Sequence, residues 1–395
     1  MTEVVKLKQR VVDEVDARRD ELIYISDTIH ANPELAFEEF ESAALLTSVL
    51  EQEGFTVQRG VAGLETAFVA SYTSQNGDRP VVAVLSEYDA LAGLGHACGH
   101  NIIGTASVGA ALVLRPILDQ LPGTIQVIGT PGEEGGGGKI VMVKAGVFDG
   151  LDAAMMVHPS NRTMTRRTSL ACYELKMEFF GQAAHAAGSP DKGINALDAC
   201  VLTYNNISAL RQQLTDDVRI HGIITHGGSA SNIIPDYTAA EFLVRAVEKD
   251  VALAVLARVE DCARAGALAA GAEVRLTRAD EHYANMIPNT VLADLFDANL
   301  AALGREVQLP EPNERMGSTD MGNVSHVVPA LHPYVTIAPD EVAGHSPQFR
   351  AASASPEGYA GLLDAAKALA MTAIDLFSNP DLVDAAWEEH RTRFG

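Results

Sequence analysis

The sequence predicts an α/β protein: a mostly parallel sheet forms one domain, and a smaller β-α-β-β-α-β unit is inserted into it. Three observations lead there. Short apolar runs alternate with helical stretches over residues 1–168 and again over 286–395, the pattern of a parallel sheet covered by helices. Over 169–285 the pattern changes to strict apolar–polar alternation, the mark of strands with one solvated face. A chain of 395 residues that is 47% hydrophobic can bury two cores.

The first 55 residues read as helix, ending in "ALLTSVLEQEGF", where the apolar spacing is helical and Gly54 is a stop signal. Short strands follow, each running into polar residues. "VVAVL" leads into Ser86-Glu87-Tyr88-Asp89, "TIQVIGT" into Glu133-Glu134 and "AAMMV" into His158, with helices such as "GTASVGAALVLRPIL" between them. In such sheets ligands bind beyond the carboxyl ends of the strands, where these polar residues fall. From about residue 170 the order is strand "YELKMEFF", helix "INALDACVLTYNNISALRQQL", strands "RIHGIIT" and "YTAAEFLVRAV", helix "VALAVLARVEDCARAGALAAG" and strand "AEVRLTR". That is the ferredoxin-like order of a split βαβ sandwich. After residue 285 the strand "YVTIAP" and the long helix "PEGYAGLLDAAKALAMTAIDLF" resume the first pattern. The expected domains are therefore 1–168 with 286–395, and 169–285.

Fifty-two acidic against 29 basic residues give a formal charge of −23. Nucleic acid and anionic membrane surfaces are excluded as partners, since both require a basic face, and an anionic substrate needs a local cation to hold it. The N-terminal stretch is charged throughout and no window approaches the roughly eighteen apolar residues of a membrane span, so a cytoplasmic location is expected. Cys98, Cys172, Cys200 and Cys262 show no CxxC spacing and are too few for a disulfide framework, and the last three read as small buried hydrophobes.

"GLGHACGHN" at 93–101 concentrates chemistry. As a dinucleotide loop it stands too far behind its strand, and "GEEGGGGKI" fails as a phosphate loop because Ile140 follows the lysine where Ser or Thr is required. As a thiol enzyme it offers Cys98 only His100, without a group to orient that histidine. A metal site fits better. Gly95 and Gly99 free the backbone to turn Cys98 and His100 toward one centre, and thiolate with imidazole suits zinc or a similar ion. Glu134, His158 and the His345 of "GHS" are further candidates. His30, His96, His221, His282, His326 and His332 read as satisfied core residues.

Taken in order, "PELAFEE", "SEYDALAGLGHACGHN", "GTPGEEGGGGK", "GQAAHAAGSPDKGINALDA", "SNIIPDYTAAEFLVRA", "GSTDMGN" and "GHSPQF" resemble the M20 family of metallopeptidases and aminoacylases, and most of all the aminoacylase-1-like protein 2 branch of its amidohydrolase subgroup. The resemblance implies a catalytic domain holding two divalent ions, zinc or manganese with cobalt a third choice, on Cys98, His100, Glu134, His158 and His345. It implies Glu133 as general base, Asn232 and Arg245 of the inserted lid as holders of the substrate carboxylate, and a lid-mediated homodimer in which His185 reaches the neighbouring active site. The peptidase branches carry a His-x-Asp pair where this chain has Glu87-Tyr88-Asp89, so Asp89 is assigned to orienting a ligand histidine. The implied activity is hydrolysis of an N-acyl amino acid or a dipeptide; a dipeptidase proper, a carbamoylase or a non-catalytic binding subunit of the same fold are the alternatives.

The chemistry accounts for these residue types. Amide hydrolysis needs a better nucleophile and a better electrophile than water and a neutral carbonyl provide. A metal-bound water has its pKa lowered from 15.7 toward ~7, and ions ~3.5–4 Å apart clamp both reacting oxygens. Cys98 thiolate, Glu134 carboxylate and one hydroxide would leave net positive charge to stabilise an oxyanion. Adjacent residues at a strand end point in opposite directions, so Glu134 would ligate while Glu133 moves the proton, a role typically worth 10²–10⁴-fold.

Overall fold

The computed structural model describes residues 2–311, 314 and 316–394. Contacts divide the chain into two compact units, Met1–Thr168 with Met286–Arg315 and Asp320–Gly395, and Ser169–Asn285 with Met316–Thr319. The return of Met316–Thr319 to the second unit has no signal in the local sequence pattern.

The first unit opens with helices α1 (Glu3–Ala17), α2 (Arg19–Ala31) and α3 (Phe40–Gln52). The Thr2 hydroxyl accepts from the Val5 N–H to cap α1, whose Leu7, Val11 and Val15 form one buried stripe. The helical reading of the first 55 residues holds over 3–17, 19–31 and 40–52; residues 32–39 between the last two are non-helical and end at the buried Glu39, and the final helix stops before 53–55. Next come β1 (Thr56–Arg59), β2 (Phe68–Thr73), β3 (Val81–Ser86), α4 (His100–Leu118), β4 (Thr124–Gly129), α5 (Gly138–Lys144), β5 (Ala153–Met155) and β6 (His158–Ser160). The second unit supplies β7 (Ala171–Phe180), α6 (Ala196–Arg211), β8 (Arg219–His226), β9 (Tyr237–Ala246), α7 (Lys249–Ala270) and β10 (Glu273–Arg278). The chain then completes the first unit with α8 (Thr290–Ala302), α9 (Met321–Ser325), β11 (Ala330–Leu331), β12 (Tyr334–Thr336), α10 (Pro347–Ala352), α11 (Pro356–Ser378) and α12 (Pro380–Phe394).

The main sheet has the order β1-β2-β4-β3-β5-β11. The four strands β4, β3, β5 and β11 are parallel, while β1 and β2 run antiparallel at one edge. β3 is an unbroken apolar run because it is buried on both faces, as parallel strands between helix layers are. α4 packs against β3 and α11. Contrary to the expectation that no window comes close, α4 is long and apolar enough to cross a membrane by composition, but 89% of its apolar window is buried by the chain itself, as in the core helix of a folded protein. Small residues let it approach. A Cβ at Gly104 would stand 2.7 Å from the Glu87 carbonyl oxygen, so only glycine permits α4 to lie this close to the end of β3.

In the second unit the four strands are antiparallel in the order β10-β7-β9-β8, the ferredoxin-like arrangement expected from the pattern. α6 and α7 cover one face, burying Leu175, Met177, Phe179, Phe242 and Val244. The other face carries Cys172 opposite Arg245, which places Arg245 on an interior strand and not on an edge. The edges are β8 and β10.

Candidate metal centre and active site

The carboxyl ends of β3, β4 and β5 bring the predicted ligands of the first unit together. His100 opens α4 directly after Gly99, whose φ of 81° admits only glycine comfortably; a Cβ there would also stand 2.5 Å from Pro159 Cγ. The His100 Nδ1 lies 2.8 Å from Asp89 Oδ1, so Asp89 accepts from one side of the ring and turns Nε2 toward the centre. The other Asp89 oxygen accepts from the Glu134 N–H at 2.8 Å. Burial works against the charge of Asp89, but His100 holds its carboxyl below the usual range.

His158 donates from Nδ1 to its neighbour's carbonyl, Pro159 O, at 2.7 Å, leaving Nε2 as the lone-pair atom, 3.4 Å from Cys98 Sγ. Burial pushes its pKa down to about 3, so the ring is neutral and able to ligate. His345 reaches in from the other side, with Nε2 3.4 Å from Glu134 Oε1. Its φ of 58° is left-handed, a conformation uncommon outside glycine and frequent where side chains must be aimed. Burial opposes the charge of Glu134, but His345 and His100 hold its carboxyl low.

Three sets of ligand atoms converge: Cys98, His100 and His158; Cys98, Glu134 and His345; and His100, Glu133 and Glu134. Within each set every atom lies within 4.8 Å of the others. Cys98, His100 and Glu134 each belong to two of the sets, as expected if neighbouring ions share ligands. The donors fit divalent ions: thiolate, imidazole and carboxylate, with His100 Nε2 and Glu134 Oε1 buried and without hydrogen-bond partners. Glu133 and Glu134 do not diverge as a strand-end pair would. They lie in a turn, and both carboxylates reach the His100 side of the centre. Burial, together with the charges of Glu87 and Asp320, pushes the Glu133 carboxyl well above its ordinary value.

The remaining predicted residues lie in the second unit. His185 is exposed, and its Nδ1 accepts from the Ala187 and Gly188 N–H groups at 3.2 and 3.0 Å, which leaves Nε2–H as a donor. Asn232 is alongside, its carbonyl accepting from the Ala186 N–H at 3.0 Å. Arg245 donates to Ser318 Oγ at 3.0 Å and keeps a buried Nε without a partner. The structure does not bring Arg245 to Asn232. Asn232 lies beyond the Tyr237 end of β9 and Arg245 near the other, so roughly 26 Å of strand separates them at about 3.3 Å per residue.

Several residues of the site have no role that the sequence pattern indicates. Lys139, which fails as part of a phosphate loop, is buried between Glu87 and Asp320, and Asp320 belongs to the "GSTDMGN" segment. The guanidinium of Arg167 stacks 4.9 Å from the centroid of the Tyr334 ring, which itself lies 5.4 Å from His158, so the first unit carries a cation near its site that no motif indicates. His96 and His332 are buried but not satisfied, contrary to their reading as satisfied core residues: neither ring nitrogen of either has a hydrogen-bond partner.

The sequence profile of peptidase family M20/M25/M40 matches residues 83–368. The chain belongs to this family. It is 40% identical to the Xaa-Arg dipeptidase of Mus musculus over 98% of this chain and 93% of that one. It is 32% identical to a p-aminobenzoyl-glutamate hydrolase chain of Escherichia coli strain K12 over 96% and 94%. Among solved structures, a putative aminohydrolase from methicillin resistant Staphylococcus aureus superposes with a TM-score of 0.80 at 20% identity, covering 94% of this chain and 100% of that one. A dinuclear metal binding M20 peptidase of Bacillus subtilis gives 0.72 at 21%, covering 92% and 99%. The fold is that of M20 peptidases, and the chain is a metal-dependent hydrolase of amide bonds.

The ligand protonation states generate a prediction. Burial raises the Cys98 thiol; burial alone would lower His100, but Asp89, Cys98 and Glu87 outweigh it and raise the ring, so both surroundings favour the protonated form in the metal-free protein. Because the surroundings of both groups favour their protonated forms, an ion must compete with protons at both, and affinity rises with pH. Calorimetric titration of a divalent ion in buffers of differing ionisation enthalpy should report release of about two protons per chain near pH 7. Binding with no proton release would remove Cys98 and His100 from the ligand set.

Proposed function

We propose that this hydrolase cleaves dipeptides or N-acyl amino acids at the amide next to a free carboxylate, with Cys98, His100, Glu134, His158 and His345 holding two divalent ions and Glu133 as general base. The observation that carries the reading is the placement of Glu133 beside Glu134 in one turn, with both carboxylates within 4.8 Å of His100. Held by those residues, the ions, zinc or manganese with cobalt as a third choice, would supply Lewis acidity for the carbonyl and the attacking water. Glu133 accepts the water's proton at its carboxylate and passes it to the leaving amine, and its raised proton affinity suits a group that must both take and give. Asp89 keeps His100 in the tautomer that ligates. Arg245 binds the substrate carboxylate through its fork of donors.

The net charge of −23 favours a substrate that carries a cationic side chain as well as its carboxylate, because the field of the protein enriches such molecules at its surface. This agrees with the name of the mouse relative, an Xaa-Arg dipeptidase. A dipeptide with C-terminal arginine or lysine is the proposed substrate class.

The separation of Asn232 from Arg245 supports a homodimer, with one lid's Arg245 and the other lid's His185 and Asn232 serving each site. The two edges of the lid sheet differ in the way a dimer requires. β10 carries Glu273, Arg275 and Arg278, charges that discourage strand pairing, while β8 presents Ile223 and Ile224, 64% and 39% exposed. Pairing of β8 across a two-fold axis would cover them. His185 Nε2–H would then donate to the oxyanion of the partner's reaction.

Glu133→Ala is expected to keep its ions and lose turnover, since it removes the base and no ligand. Retention of more than about a tenth of kcat by a metal-replete variant would contradict the role.

Arg245→Ala should lose kcat/KM heavily on substrates with a free carboxylate and little on their C-terminal amides. Equal losses, measured by product mass on matched pairs, would make Arg245 structural.

Co-expressed Glu133→Ala and His185→Ala chains, each inactive alone, should recover about a quarter of wild-type activity, because half of randomly formed dimers are mixed and each mixed dimer holds one intact site. Proven mixed dimers without recovery would mean that His185 does not serve the neighbouring site.

A further inference from the structure

The reaction as proposed leaves the lysine of the glycine-rich loop without a role. Lys139 is fully buried; its Nζ donates to Asp320 Oδ1 at 2.8 Å and is in close contact with Glu87 Oε1, and its backbone N–H donates to Asp320 Oδ2 at 2.9 Å. Buried charges are tolerated when paired and hydrogen-bonded, and three of the four carboxylate oxygens here are. The fourth is not. Glu87 is 1% exposed, yet its Oε2 has no hydrogen-bond partner.

That oxygen faces the metal centre. It lies 3.5 Å from His100 Nε2, which is equally buried and without a hydrogen-bond partner, and a third such atom, Glu134 Oε1, lies 3.9 Å from the same nitrogen. Two ligand atoms sharing a tetrahedral ion through bonds of about 2.0–2.1 Å stand about 3.4 Å apart. Glu87 Oε2 and His100 Nε2 are spaced as such a pair.

We propose that Glu87 is a further ligand of the ion on the His100 side, and that Lys139, anchored by Asp320, is the positioning residue that aims it. Lys139 occupies Oε1, so only Oε2 remains and the contact is monodentate. The close approach of α4 at Gly104 pins the Glu87 backbone at the end of β3. The proposal rests on the metal-centre reading given above.

The competing account is a triad that only stabilises the fold. That account treats Glu87 and Asp320 alike, since each accepts from Lys139, whereas a ligand role separates them. The test compares Glu87→Gln, Asp320→Asn and His100→Ala with the wild type. Ions per chain are measured after dialysis against graded chelator, together with the visible spectrum of the cobalt(II)-loaded protein and the thermal midpoint of each metal-free form. Glu87→Gln and Asp320→Asn should lower the metal-free midpoint to similar extents, but Glu87→Gln alone should loosen one ion by tenfold or more and alter the cobalt bands. Glu87→Asp, which keeps the charge and withdraws it by one methylene, should weaken the same ion and serves if Glu87→Gln does not fold. Wild-type metal retention in Glu87→Gln or Glu87→Asp, or an equal loss in Asp320→Asn, overturns the proposal. Loss of metal in His100→Ala with none in the Glu87 variants confines that failure to Glu87, whereas full metal content in His100→Ala overturns the metal centre itself.

Discussion

One carboxylate ties the active site to the fold. Asp89, just past the end of β3, accepts from His100 at the start of α4 with one oxygen and from the Glu134 N–H in the β4–α5 turn with the other. It is 1% exposed, and an unpaired charge there would be prohibitive, so both hydrogen bonds must be made for the site to exist. A strand, a helix and a loop are thus held in register by a residue that need not touch substrate. The orientation of the His100 ring and the height of the Glu133–Glu134 turn follow from it.

Around that tie the protein concentrates negative charge. Glu87, Asp89, Glu133, Glu134 and Asp320 gather at the carboxyl ends of the parallel strands, and Lys139 is a buried cation set among them. Such a cluster is unfavourable without compensation, and its cost explains why burial raises the proton affinity of Glu133 and Glu87. Divalent ions held there would relieve that repulsion, which would couple metal binding to folding of this region through the same charges. The parallel topology makes the arrangement possible, because all of these strands release their chain at one end of the sheet.

The lid raises a different constraint. A β-strand is rigid and extended, so residues at its opposite ends cannot be brought to one small molecule by any adjustment of side chains. Arg245 and Asn232 stand toward opposite ends of β9, so one lid does not present both to a single small molecule. The two edges of the same sheet also differ, β8 carrying an uncharged stretch and β10 several charges.

Much of this is legible in the sequence. The alternation of apolar runs with helices predicts the parallel sheet, the change to period two predicts the inserted unit, and ligand-competent residues such as Glu134 and His158 can be found because each follows a strand. The double contact of Asp89 is visible there only as an orienting role, and Lys139 has none, because its loop fails as a phosphate motif. Glu87 is visible as a strand-end residue and Asp320 as part of "GSTDMGN", but neither shows its role there, and Arg167 and the unsatisfied His332 carry no local signal. For the buried triad the significance lies in distant partners, with Glu87 and Asp320 standing 52 and 181 positions from the Lys139 that joins them. The reason is physical: period and strand-end position are properties of neighbouring residues, which a linear chain displays. Which buried charges share a partner, and which atom is left without one, depends on distances that only the packed chain creates.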